Sequence, residues 1–364
     1  MKFSKTNLWA VVLIFLFIGC TAVKNEISPT DLRCCGLVNP EGVDEALFSW
    51  IIASKENNVV QSAYEIEIAT SKKELGKGHC IWKSETVKSD RQFNIRPEGL
   101  TAEHGTLYWW RVRIQDGNGK TTEWTKPSSF SVGLNAAADW KAQWITSEWD
   151  KGSPTPYFRK VFAPEKRKAD IQRAIVYFCG LGYGDLYLNG KAIDKTSMLN
   201  PAQTNYEQYA LYSTFDLTKN LKKGDNCLGV MLGEGFFGQN VVWGDWAKYG
   251  DPLFILQMEI IYEDGYRQLV LSDESWQWHP SPVLKNNVYA GEVYDATREI
   301  SGWADAGTPL GEWKNAVLAK GLIPKELRPQ MMEPVRMKNK IDAVKVWKTP
   351  DGNWIYDFGV NVAG

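Results

Sequence analysis

The chain has 364 residues, 44% of them hydrophobic and 23% charged, and a formal net charge of −1. That charge gives no pull toward nucleic acid or an anionic membrane surface, and the length leaves room for two or three domains. Seventeen Trp and fifteen Tyr in a chain with 31 Gly fit aromatic β-sandwich cores, and surfaces that stack on flat apolar partners such as sugar rings.

Residues 1–20 read as a targeting segment. Lys2 and Lys5 precede an apolar run from Leu8 to Ile18, shorter than the roughly 20 residues a spanning helix needs. The run ends in FIGC, Phe17 to Cys20, which resembles the lipobox of bacterial lipoproteins. The resemblance implies lipidation of Cys20 and an exported, membrane-anchored protein, periplasmic or at the cell surface. An ordinary secretory signal or an N-terminal anchor is the plainer alternative. Five further cysteines (Cys34, Cys35, Cys80, Cys179, Cys227) are an odd number, which does not complete a disulfide framework. Cys179 and Cys227 sit in apolar runs and are expected as buried thiols. Three widely spaced His give a zinc site little to build from.

Residues 28–134 are expected to form a first all-β domain. ALFSWII, SAYEIEIAT, IWKSETV and LYWWRVRIQD are short, β-branched and aromatic, with turn signals between them. The stretch from Thr106 to Gly133 resembles the closing strands of fibronectin type III or immunoglobulin-like modules. Asn135 to Trp140 reads as a small-residue linker. A second β domain is expected over residues 139–320. It carries hairpin signals at Asn189-Gly190 and Asp264-Gly265. Residues 330–364 look like the start of a further β-sandwich. The fold class is therefore all-β, tandem β-sandwiches, the second jelly-roll-like.

Gly233 to Gly238, GEGFFG, matches a dinucleotide-binding glycine pattern after an apolar strand. That pattern needs a helix next. Gly244, Gly250 and Pro252 fall where the helix would be, and each costs about 1 to 3 kcal/mol inside one. A tight loop at a sheet end is the better reading. WGDWAKYG, Trp243 to Gly250, places three aromatics and an acid in a glycine-bounded loop. One reading is a sugar-stacking shelf from Trp243 and Trp246, with Asp245 and Glu234 accepting from hydroxyls. The other is a loop packed back on its own sandwich.

YAGEVYDATREISGW, Tyr289 to Trp303, is rich in carboxylates. Paired acids serve glycoside hydrolysis only when they straddle a bond, about 5–9.5 Å apart. Neighbours in sequence rarely do, and Arg298 stands three residues from Asp295 as an ion partner. Glu292, Asp295 and Arg298 are therefore read as a structural brace.

These segments, with AQWIT, PTPYFRKVF, CGLGYGDLYLNGKAI and IYDFGVNVAG in the same order, resemble the N-terminal region of bacterial α-L-rhamnosidases. The resemblance implies β-sandwiches ahead of an (α/α)6 barrel that hydrolyses terminal α-L-rhamnose by inversion and carries the catalytic carboxylates. It transfers no catalytic residue to this chain and implies no required cofactor. Some members bind rhamnose with calcium on the corresponding jelly-roll domain. Asn189, Glu234, Trp243, Asp245 and Trp246 are the candidates for such a site. The expected function is an accessory region that positions a catalytic barrel beyond residue 364 and contacts a rhamnose-containing glycan or glycoside. A free-standing carbohydrate-binding surface lipoprotein without hydrolase activity is the alternative.

Overall fold

The computed structural model describes residues 27–148, 154–239, 248–309 and 311–362. The lipidation candidate Cys20 and the shelf residues Trp243, Asp245 and Trp246 lie outside them.

The first domain opens with β1 (Ser28–Cys34) and β2 (Phe48–Ala53), paired antiparallel. The facing sheet contains β3 (Gln61–Ala69), β4 (Trp82–Lys83), β5 (Tyr108–Asp116) and β6 (Ser128–Phe130), in the order β4-β3-β5-β6. Along β5 every second residue from Tyr108 to Ile114 is buried, as period-two geometry requires of a sheet with one covered face. Trp110 stacks on Phe48 at 4.2 Å in that core. On the open face Arg111 and Arg113 pair with Glu67 and Glu65 at 2.6 Å, beneath Trp124. One short helix, α1 (Lys72–Lys77), joins β3 to β4; Ser71 caps it by accepting from the Glu74 amide. IWKSETV yields only the two-residue β4.

The second domain begins with β7 (Ile145–Thr146), β8 (Pro156–Phe162), β9 (Ile171–Leu181), β10 (Gly184–Leu188), β11 (Lys191–Ala192) and β12 (Ser197–Met198). It continues with β13 (Tyr209–Asp216), β14 (Asn226–Leu232), β15 (Leu253–Tyr262), β16 (Arg267–Leu271) and β17 (Gln277–Pro280). A hairpin of β18 (Val283–Asn287) and β19 (Gly291–Tyr294) follows, then β20 (Lys314–Asn315), β21 (Val317–Leu318) and β22 (Glu326–Pro329). One sheet runs β11-β10-β14-β8-β17-β20 and the other β21-β7-β15-β9-β13-β22, with β16 beside β15. The core between them joins Phe158, Leu228 and Val230 to Val176, Phe254, Met258 and Trp276.

Every residue of β15 is buried. A central strand covered on both faces reads as a continuous apolar run rather than an alternation. Its odd-numbered side chains face outward, where a second cluster of Leu134, Tyr177, Tyr212, Phe237 and Ile255 lies. The linker is not loose: Leu134 is fully buried in that cluster and residues 137–139 form a 3-10 turn.

The hand-over expected at residue 330 lies later. β22 still belongs to this sandwich, parallel to β13, and β23 (Val335–Arg336) pairs with β12. Only the hairpin of β24 (Lys345–Lys348) and β25 (Trp354–Asp357) stands apart, with every residue exposed. Parallel pairing of strands so distant in sequence leaves no local signal.

Candidate functional site

Three loops meet at one end of the second sandwich: residues 182–183 between β9 and β10, residues 233–239 after β14, and the β18–β19 turn. Glycine permits the meeting. A Cβ on Gly182 would overlap the Gly233 carbonyl, and one on Gly235 would sit 2.8 Å from Gly182 backbone carbon. GEGFFG is thus closed by backbone against backbone, and its glycines leave no cradle for a phosphate.

The loops carry an aromatic rim. Tyr183 stands edge-on to Phe236 at 5.9 Å, and Phe236 to Tyr289 at 6.1 Å. Phe237 turns inward against Tyr206 and Tyr249. Glu234 lies beside the rim; burial pushes its carboxyl up, opposed by Lys248 and Lys285. Asp185, at the start of β10, is also held above the usual range. Crowding is the main cause although the side chain reaches solvent, and the charges of Asp194 and Glu292 add to it.

Asn189 does not join this site. The register sets Gly184 opposite Leu232 and Leu188 opposite Leu228. Asn189 and Glu234 therefore stand at opposite ends of the β10–β14 pair, with about 17 Å of strand from Cys227 to Leu232 between them. Asn189 is also consumed. Its amide donates to Asn226 Oδ1 at 2.9 Å and its carbonyl accepts the Cys227 amide at 3.0 Å. It adopts φ 52°, followed by Gly190 at 76°, the two left-handed residues of a tight hairpin turn. Among the described residues no three His, Cys, Asp or Glu stand close enough to hold a metal ion, and the Asn189 side chain is engaged by Asn226 and the Cys227 amide; Asp245 lies outside the described residues.

The carboxylate-rich stretch is a strap across the outer face of the β10-β14-β8 sheet. Asn286 donates to Glu292 at 3.1 Å. Asp295 caps a 3-10 turn, accepting from the Thr297 amide at 3.1 Å and hydroxyl at 2.6 Å, and pairs with Arg298 at 3.2 Å. The Thr297 bonds, with Arg298 behind them, hold the Asp295 carboxyl below its usual range, which suits a fixed anion and not a general acid. Beyond it Trp303 lies flat on Tyr157 at 4.1 Å and 7°. A Cβ on Gly229 would meet the Trp303 ring at 2.8 Å, so glycine there makes the seat. Fully buried Arg159 donates to the carbonyls of Trp303 at 3.0 Å and Asp305 at 2.9 Å. Asp295→Ala is expected to lower the thermal midpoint while leaving any L-rhamnose affinity unchanged, read by thermal denaturation and titration calorimetry. A changed affinity with an unchanged midpoint would return the stretch to the list of binding sites.

A charge network joins the two domains, on the face of β15 that points outward. Glu259, only 2% exposed, accepts from Arg267 at 2.6 Å and Gln257 at 3.1 Å, and meets His104 of the first domain at 3.3 Å. Arg267 also donates to the His104 carbonyl at 3.1 Å, and Gln257 to Asp139 of the linker. Alongside, buried Arg173 donates to Glu41 at 2.5 Å and to the Gly105 carbonyl at 3.0 Å. Tyr212 closes the joint on the Leu134 carbonyl at 3.1 Å. Sequence reasoning passed over this network. The signal was present: a Gln and a Glu inside LFILQMEIIY demand buried partners.

The joint is pH-dependent. Burial pushes Glu259 up, but hydrogen bonding and charge from His104, with Gln257 and Arg267, outweigh it and leave the carboxyl below 4.5. The Glu259 hydrogen bond lifts His104 above 6.5, against burial and Arg267, with Asp139 adding. A lowered carboxyl contributes stability above its unfolded value that is lost as pH falls through its folded one. A raised histidine contributes fully below 6.5 and loses that contribution as pH rises through its folded value. The urea midpoint is expected to be higher near pH 5.5 than near pH 8.5, and His104→Gln to flatten that difference.

Two sandwiches locked through a buried charged joint, with a braced sheet and an aromatic loop end, define a tandem β-sandwich module that holds its parts in fixed register. Residues 169–339 match the family model described as the alpha-L-rhamnosidase N-terminal domain, and residues 29–136 the one described as the Rha78A-like, N-terminal immunoglobulin domain. An alpha-L-rhamnosidase of Formosa agariphila is 32% identical over all of this chain and 41% of its own length. The solved alpha-L-rhamnosidase of Dictyoglumus thermophilum superposes with a TM-score of 0.82 at 33% identity, over 92% of this chain and 39% of that one. The Streptomyces avermitilis alpha-L-rhamnosidase, solved with L-rhamnose, shares the fold at a TM-score of 0.84 and 20% identity, over 92% and 49%. The chain belongs to the alpha-L-rhamnosidase family and corresponds to the N-terminal, non-catalytic region of its members. It spans about two-fifths of the length of the curated relatives, 41% for the Formosa enzyme.

Proposed function

We propose that this chain is the platform of a rhamnoside hydrolase, holding a catalytic part in position to remove terminal α-L-rhamnose from a glycan or glycoside. The observation that carries this reading is the interdomain joint. A buried carboxylate satisfied from two domains, beside a glutamine that holds the linker, leaves little freedom between the sandwiches, and rigidity is what a platform needs. The β24–β25 hairpin supports it. Two strands alone are marginal in water, and Val346, Trp347, Trp354 and Tyr356 are exposed on it. In this reading the hairpin opens a further β-sandwich. Lipidation at Cys20 would place the platform on a membrane surface, with Cys20→Ala expected to shift the protein from the membrane fraction to the soluble one.

A chimera carries the test. This chain, put in place of the matching N-terminal part of the Formosa agariphila relative, is expected to support hydrolysis of 4-nitrophenyl α-L-rhamnoside. The relative without that part, and this chain by itself, are expected to release no nitrophenol. Hydrolysis by the 364-residue chain alone would overturn the proposal, as would full activity of the relative lacking its N-terminal part.

The aromatic rim favours a second, compatible reading. Exposed Tyr289 with Phe236, Tyr183 and Glu234 offers ring faces and a hydroxyl acceptor, the chemistry by which proteins hold sugars. L-Rhamnose is expected to give a saturable binding heat with the chain in titration calorimetry, and Tyr289→Ala to weaken that response. A flat titration would remove the rim from consideration.

A further inference from the structure

The adjacent cysteines at the end of β1 belong to none of the sites above. Neighbours on an extended strand point to opposite faces. Cys34 is fully buried and packs into the first-domain core. Cys35 leaves the strand with φ 54°, an uncommon conformation for a residue with a side chain. That turn keeps the Cys35 side chain beside Cys34 instead of on the far face, and each thiol shifts the other's protonation. The conformation is pinned from three sides. The Cys35 amide donates to the Leu47 carbonyl at 2.7 Å, its thiol to the Glu45 carbonyl at 2.8 Å, and the Cys34 amide to the Leu37 carbonyl at 3.0 Å.

We propose that Cys34 and Cys35 form a dithiol modification site that closes to a vicinal disulfide on reaction with a small disulfide such as glutathione disulfide. The two sulfurs have separate roles, set by burial. Cys35 is half-exposed and is the attacking sulfur; the adjacent Cys34 thiol holds its own below the usual range. Cys34 is closed to solvent, and the neighbouring Cys35 thiol together with burial holds it high, so it waits as the resolving group. The Cys35 thiolate attacks the small disulfide, forms a mixed disulfide and expels one thiolate. The Cys34 sulfur then attacks Cys35 sulfur, passes its proton to the second leaving group, and expels it. Two protein thiols and one small disulfide become one protein disulfide and two small thiols. Adjacent Cα atoms stand about 3.8 Å apart, closer than the roughly 4.4–6.8 Å that ordinary disulfides span, so the closed ring is strained and excess thiol reopens it.

The experiment uses the whole reduced chain. Trypsin cuts after Arg33 and next after Lys55, so one peptide holds both cysteines and no other. After glutathione disulfide that peptide is expected to weigh about 2 Da less, and to recover its mass on thiol treatment. Cys34→Ser is expected to stop at a glutathione adduct on Cys35, and Cys35→Ser to leave Cys34 unmodified. The closure is read on the natural chain, so misfolding of a variant does not remove the test. A second probe, phenylarsine oxide, is expected to form a one-to-one adduct with the reduced natural chain and to block closure. A peptide that stays a dithiol, that keeps a stable adduct without closing, or that cross-links to Cys80 would overturn the proposal.

Discussion

Glu259→Ala is expected to lower the unfolding free energy by about 3–5 kcal/mol, the usual result of removing one partner from a buried charged network. Arg267 and His104 would then point at a cavity, and the Gln257 amide would lose an acceptor. Arg267 and His104 each keep about a third of their side-chain surface in solvent, which sets the expectation at the lower end of that range. The loss should appear in equilibrium urea denaturation. It should also appear as faster proteolysis within residues 134–144, because the linker is held by Gln257. Glu259→Gln keeps the shape and one acceptor and is expected to lose less. A double variant, Glu259→Met with Arg267→Met, tests the mechanism, since replacing a buried pair together with apolar groups is often close to neutral. If the double variant is as weak as Glu259→Ala, the polar contacts themselves hold the joint and the loss is not that of a charge left unpaired. A platform with a loosened joint should also lose hydrolysis in the chimera more than it loses stability.

Arg159→Ala is expected to cost about 3 kcal/mol and to free the strap across the β10-β14-β8 sheet. Arg159, buried on β8 beside Tyr157, hydrogen-bonds the 303–308 segment through the Trp303 and Asp305 carbonyls and more weakly that of Thr308. A buried acceptor that loses its donor costs about 1–3 kcal/mol, and the emptied volume adds to it. Arg159→Met keeps much of the volume and loses only the hydrogen bonds, so the difference between the two variants separates packing from polar satisfaction. Release of the strap should also unstack Trp303 from Tyr157, visible as a red shift in tryptophan emission. An unshifted spectrum with unchanged stability would mean that the ring stack holds the strap without Arg159.

Some of this was legible before the fold. The Asn189-Gly190 and Asp264-Gly265 turns, the pairing of Asp295 with Arg298, and the half-buried strands of the first domain all depend on residues within a few positions of one another. Their physics is turn conformation, period-two burial and side chains three apart. The tandem β-sandwich class followed from them. The sandwich's continuation through β22 and β23 did not, because those strands pair with β13 and β12, more than a hundred residues earlier.

The sequence by itself determined the class of fold, the hairpins, the family and the pairing of Asp295 with Arg298. Tertiary structure alone decided which polar side chains remain free. Asn189 looked available in a turn, yet strand register sets it far from Glu234 and its amide is taken by Asn226. Glu259 drew no sequence reading, yet it is the centre of the joint because His104 and Arg267 arrive from other elements. The reason is range. Backbone preferences act between neighbours, whereas the satisfaction of a buried polar group depends on which distant loop covers it.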